Sequence, residues 1–157
     1  MTLEFAITLA LRYLVVMLFL PFSALDKILN FNGAVAQARQ AIPSDEAARL
    51  AIVAALCIEI IMPLCILTGV ADRLAALILA GYCVVTALLW KQFWKPGDFW
   101  STGSSRARDL FWDFLKNLSL AGGILLITFG TDMGQVAAVL SDPQLSSHPY
   151  SAQQAAH

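Results

Sequence analysis

Four apolar stretches spaced along 157 positions, each about the length of a membrane span, constrain this chain more than any other feature. They cover residues 5–25, 50–69, 74–90 and 110–130. The second carries Glu59 as its only charge and the third carries none. At a rise of about 1.5 Å per residue, twenty helical residues reach roughly 30 Å, the thickness of a bilayer's hydrocarbon core. A soluble bundle of this size has no layer left over to cover four such helices. The expected fold is therefore all-α, an integral membrane four-helix bundle. One domain spans 1–130, with helices at about 5–27, 47–69, 73–94 and 109–130, followed by a polar, flexible tail over 131–157. Within that tail, 133–140 reads as a short interfacial helix. The composition agrees: 59% of residues are apolar and 13% charged, the latter about half the share of a soluble domain.

The first stretch reads as a retained helix. It lacks a basic segment ahead of its apolar run and a small-x-small cleavage site behind it. An even number of spans places both termini on the side of the tight turn at Val70-Ala71-Asp72-Arg73, with the two longer connections on the other. The long-loop side holds Lys27, Arg39, Arg49, Lys91, Lys95, Arg106, Arg108 and Lys116, against Arg12 and Arg73 opposite. Basic residues stay cytoplasmic, so the long loops are expected in the cytoplasm and both termini outside. All four tryptophans fall on the long-loop side, as an interfacial aromatic belt would place them.

Several kinds of chemistry are excluded at this stage. Ten Lys+Arg against eleven Asp+Glu give a net charge of −1, which offers nucleic acid no basic field. Both histidines, His148 and His157, lie in the tail, so no apolar segment can hold a bis-histidine haem or a histidine metal site. Cys57, Cys65 and Cys83 have no CxxC spacing and read as packing residues. No metal and no intrinsic cofactor is expected.

Charges inside a bilayer are costly, and each one needs a reason. Glu59 falls near the midplane, four residues before Pro63, whose missing N–H leaves the Glu59 carbonyl without its helical donor. The two readings are a ligand or proton site and a structural ion pair. Arg12, about 10 Å into helix one, lies within axial reach of Glu59 and is the expected partner. Arg12, Phe19, Ser23 and Asp26 share one face of that helix by spacing. At the long-loop end, Asp26 and Lys27 meet Asp109, Asp113, Lys116 and Asn117, the last four on one face of helix four. That cluster reads either as a polar mouth for a head group or as interfacial salt bridges. The candidate site residues are thus Glu59, Arg12, Lys27, Asp113, Lys116 and Asn117. Ser119 with Gly123, and Ala76 with Ala80 and Gly81, are spaced for close helix packing.

In order and spacing these strings resemble the DoxX family of small bacterial membrane proteins. Helix one reads LRYLVVMLFLPFSALDKILNF from Leu11. Pro43, Glu59, and Thr68-Gly69 with Arg73 follow, then Phe93-Trp94 and FLKNLSLAGGILL from Phe114. Ala24 replaces the glycine expected there, and Lys91 and Asp113 stand where many members are expected to have histidines. The resemblance implies the membrane fold and, through subunits of quinol and thiosulfate:quinone oxidoreductases, a link to quinone. Three functions follow as expectations. The first is an accessory protein or subunit of a membrane redox system that binds quinone or lipid, docked on a redox partner or a second copy. The second is a catalytic quinone-reducing subunit, disfavoured because no redox motif is present. The third is a small-solute transporter, weakened by the absence of an inverted repeat.

Overall fold

A computed structural model describes residues 2–151. The chain forms α1 (Leu3–Val16), a distorted turn (Leu18–Ser23), α2 (Ala24–Leu29), α3 (Phe31–Ala38), α4 (Asp45–Thr68), α5 (Asp72–Trp90), α6 (Arg106–Phe129) and α7 (Met133–Ser141). No strand occurs among the described residues. Four spans are long and apolar enough to cross a membrane: Leu3–Leu29, α4, α5 and α6. The protein is thus an all-α membrane bundle.

The first span is broken by chemistry at its centre. Pro21 cannot donate to the preceding turn, and a proline drives the residue before it out of the helical region. Leu20 accordingly adopts φ −119° and ψ 110°. The lower half, α2 and α3, therefore departs from the line of α1. α1 packs against α4 and α6, whereas α2 and α3 pack against α4 alone among the other spans. No Cα of α2 or α3 lies within 8 Å of α5 or α6 among the described residues.

Packing follows from this bend. One core, built from Val16, Phe19, Ile66, Leu79, Ala121 and Ile124 with their neighbours, fills the half of the bundle near the α4–α5 turn. A smaller one, Val35, Ala38, Ala48 and Ile52, seals the other end under Trp90. Ala76 and Ala80 are buried between helices as their spacing predicts, but Gly81 and Gly123 have no neighbouring atom within 4 Å of an added Cβ. Ala121 makes the close approach on α6 instead.

The third span ends at Trp90, four residues short of the expected boundary. Phe93 leaves the helix to pack edge-on against Trp94, Phe111 and Phe114, which pins the 91–105 loop to α6. Trp94, Trp100 and Trp112 stay exposed on that side.

The segment after α7 departs from the flexible tail expected there. Residues 145–151 fold back onto the α4–α5 turn, because that turn presents groups needing partners. The last carbonyls of any helix have no donor within it. Arg12 donates to the Ile66 carbonyl at 2.7 Å, Tyr150 to that of Leu67, and Ser146 to that of Gly69 at 2.6 Å. Gly69 takes φ +78°, and an added Cβ would meet the Pro149 ring at 2.8 Å, so glycine is required twice over. His157 and the rest of the expected tail, 152–157, lie outside the described residues.

Candidate functional site

Between the two packed cores lies a cavity of about 640 Å³, walled by the Leu18–Ser23 turn, α2, α3, α4, α5 and Asn117 of α6. Small side chains make the room: Gly33, Ala34, Ala51, Ala54 and Ala55 line it where larger residues would fill it. Its inner end is polar. Glu59, 1% exposed, sits there among four helices' worth of apolar side chains.

Three side chains converge on the Glu59 carboxylate. Lys27 Nζ donates to Oε1 at 2.8 Å and Oε2 at 3.0 Å, Tyr82 Oη donates to Oε1 at 2.7 Å, and Ser23 Oγ donates to Oε1 at 3.0 Å. Ser23 also accepts from Lys27 at 2.7 Å. Ser23 and Lys27 lie four apart across the start of α2, so a single helical turn aims both inward. A buried charge is tolerable only when paired and hydrogen-bonded, and here both conditions hold.

The expected Arg12–Glu59 pair does not form. Arg12 instead binds Asp72 Oδ2 at 2.6 Å and Ser147 Oγ at 2.9 Å, near the α4–α5 turn. Asp72 is fully buried and accepts from the Ser147 N–H at 2.7 Å and hydroxyl at 2.5 Å. The reason is the break at Pro21. It brings Lys27 round to Glu59, while Arg12, above the break, stays level with the head of α5. Asp26, expected on the inward face, is exposed at the cavity rim for the same reason.

The long-loop cluster divides. Asn117 lines the cavity and donates to the Asp113 carbonyl at 3.3 Å. Asp113 stands behind Lys91, bonded to its Nζ at 3.0 Å, and Lys91 is the residue that reaches the cavity. Lys116 is 76% exposed and meets Asp113 at 3.4 Å, away from the cavity.

Three residues of the Glu59 and Arg12 constellations were not singled out from the sequence: Tyr82, Asp72 and Ser147. Tyr82 had a signal. With Thr86 it forms an i, i+4 polar pair in an otherwise apolar helix, and both face the cavity. Asp72 and Ser147 had none, because their pairing joins residues 75 positions apart.

The charged wall residues of the cavity are two acids, Asp26 and Glu59, and two bases, Lys27 and Lys91. They cancel. An ionic guest would find no net counter-charge, whereas a neutral guest with hydrogen-bonding oxygens would find Asn117 and Lys91, which keep N–H groups beyond their bonds to Asp113. One family model, described as DoxX, matches residues 7–92, more than half of the chain. The match takes in Arg12, Ser23, Lys27, Glu59, Asp72 and Tyr82, and stops before α6. No curated protein and no solved structure matches the chain.

Proposed function

The chain belongs to the DoxX family of membrane proteins, and from that premise we propose that it is an accessory protein of a membrane redox system which holds a quinone in its intramembrane cavity. The observation that carries the reading is the cavity's form: about 640 Å³, apolar along its walls and polar but uncharged overall at its inner end. That volume falls within the range of ordinary ligand pockets, roughly 300–1,000 Å³. A quinone ring is flat, uncharged and carries two carbonyl acceptors, which match Lys91 and Asn117, each of which keeps an N–H beyond its bond to Asp113. When bound, a quinone supplies two-electron carrier chemistry.

The chain's own residues would bind and orient the ring and exclude water from it. Lys27 divides its hydrogens between Glu59 and Ser23, and Glu59 fixes the ammonium in place at the inner end of the cavity. Electrons would come from another chain, docked in the same membrane. In this reading the protein lies in a bacterial inner membrane with its long loops in the cytoplasm.

Purification in mild detergent followed by solvent extraction tests the proposal. Wild-type protein is expected to yield bound quinone, and Glu59→Gln and Tyr82→Phe to yield at least about threefold less, about 0.7 kcal/mol of lost affinity. If wild-type protein and both variants come out equally empty after preparation from quinone-replete membranes, the proposal fails.

A further inference from the structure

Because no Cα of α2 or α3 lies within 8 Å of α5 among the described residues, their backbones stand clear of that helix. Two side-chain contacts bridge the gap. Phe19 meets Tyr82 edge-on at 6.4 Å, and Trp90 Nε1 donates to the Gln37 carbonyl at 3.3 Å. Eight residues separate Tyr82 from Trp90, so the slot between these bridges is about 12 Å long.

The α5 side of this slot, together with Leu18, is largely apolar and open, whereas the α2–α3 side also carries the exposed Asp26, Asn30 and Gln37. Val85 and Leu89 of α5 and Leu18 of the broken turn all line the cavity, yet they are 52%, 38% and 53% exposed. Val85 lies thirteen residues beyond Asp72, about 20 Å along α5, still within a hydrocarbon core of roughly 30 Å. Exposure at that depth is exposure to lipid tails. Glu59 with its donors Ser23, Lys27 and Tyr82 lies at the inner end of the cavity.

We infer that the slot between α2–α3 and α5 is a lateral portal, through which an uncharged amphiphile dissolved in the bilayer brings its head group to Glu59 and leaves its apolar tail in the slot. The inference rests on the cavity reading above and adds the route and the class of guest. A water-soluble guest has no use for an apolar, lipid-facing opening. A charged amphiphile would bring an unpaired charge to an inner end whose own charges already cancel. Small residues on the facing wall, Ala34 among them, leave room for a chain of methylenes beside Val85 and Leu89.

The test uses the full chain in lipid nanodiscs and two probes with the same dimethoxybenzoquinone ring, one bearing a decyl tail and one tailless. Val85→Trp narrows the slot at an exposed position, where folding does not depend on the original side chain. Binding of the tailed probe, expressed per lipid, is expected to fall at least about tenfold in Val85→Trp while that of the tailless probe changes less than about twofold. An Ala34→Phe variant, narrowing the slot from the other wall, is expected to repeat the pattern. Equal loss of both probes, or no loss of either, overturns the portal while leaving the cavity reading in place. If neither probe binds wild-type protein, portal and cavity reading fall together.

Discussion

Glu59 Oε1 accepts three hydrogen bonds, and only one of its donors carries a charge. Removing that donor is therefore far costlier than removing either hydroxyl. Lys27→Met leaves a buried carboxylate uncompensated, which costs about 3–5 kcal/mol. Tyr82→Phe removes one interhelical hydrogen bond, worth about 0.6 kcal/mol on average inside a membrane. The double variant Lys27→Met with Glu59→Leu replaces the pair by apolar groups and is expected to recover most of the loss. Unfolding in detergent–SDS mixtures measures all three; equal losses for Lys27→Met and Tyr82→Phe would show that the charge pair is not what holds Glu59. The carboxylate was legible in the sequence because it stood alone in an apolar run. Its partner was not, since spacing along an unbroken helix one favoured Arg12.

At the scale of elements, helix ends account for much of what the loops do. Asp98 caps α6 from a distance in sequence, accepting from the Arg106 N–H at 2.8 Å and the Ala107 N–H at 3.0 Å. Desolvation pushes its pKa up, but these amides outweigh it and hold the carboxyl below its ordinary range. Its contribution is therefore present above the unfolded carboxyl's pKa and fades as pH falls through the lower, folded value. The other end of the bundle uses the tail. Ser146, Ser147 and Tyr150 together satisfy the α4 carbonyl of Leu67, the carbonyl of Gly69 that caps it, and the buried Asp72. A chain truncated after Ser141 loses these partners. At about 1 kcal/mol per hydrogen bond the expected loss is of order 3 kcal/mol, read as a lowered Tm in detergent. An unchanged Tm would mean that the tail only rests on the turn. Apolar periodicity marks spans; it says nothing of a polar segment whose partners lie 75 residues upstream.

The molecule as a whole is asymmetric. One half is packed tightly around Leu79 and Ile124 and capped by the tail; the other is bent open around a cavity. Lys27, Lys91, Arg106, Arg108 and Lys116 all belong to the open half, and only Arg12 and Arg73 to the capped one. A reporter that works only in the cytoplasm, fused to the C-terminus, is expected to be silent, and the same reporter inserted after Gly103 to be active. The reverse pattern would turn the cavity toward the periplasmic face.

Sequence alone determined that this chain is a helical membrane bundle, because a run of apolar residues long enough to cross hydrocarbon can satisfy its backbone there only as a helix. It also determined that Glu59 and Arg12 each need a partner, because a charge in that medium is never neutral in energy. Which partner each one finds, and that a cavity exists at all, was left to the tertiary structure. A local break at Pro21 sets the direction of α2 and α3, and so decides that Lys27 rather than Arg12 meets Glu59. The space beside α5 follows from that direction, which no periodicity in the sequence encodes.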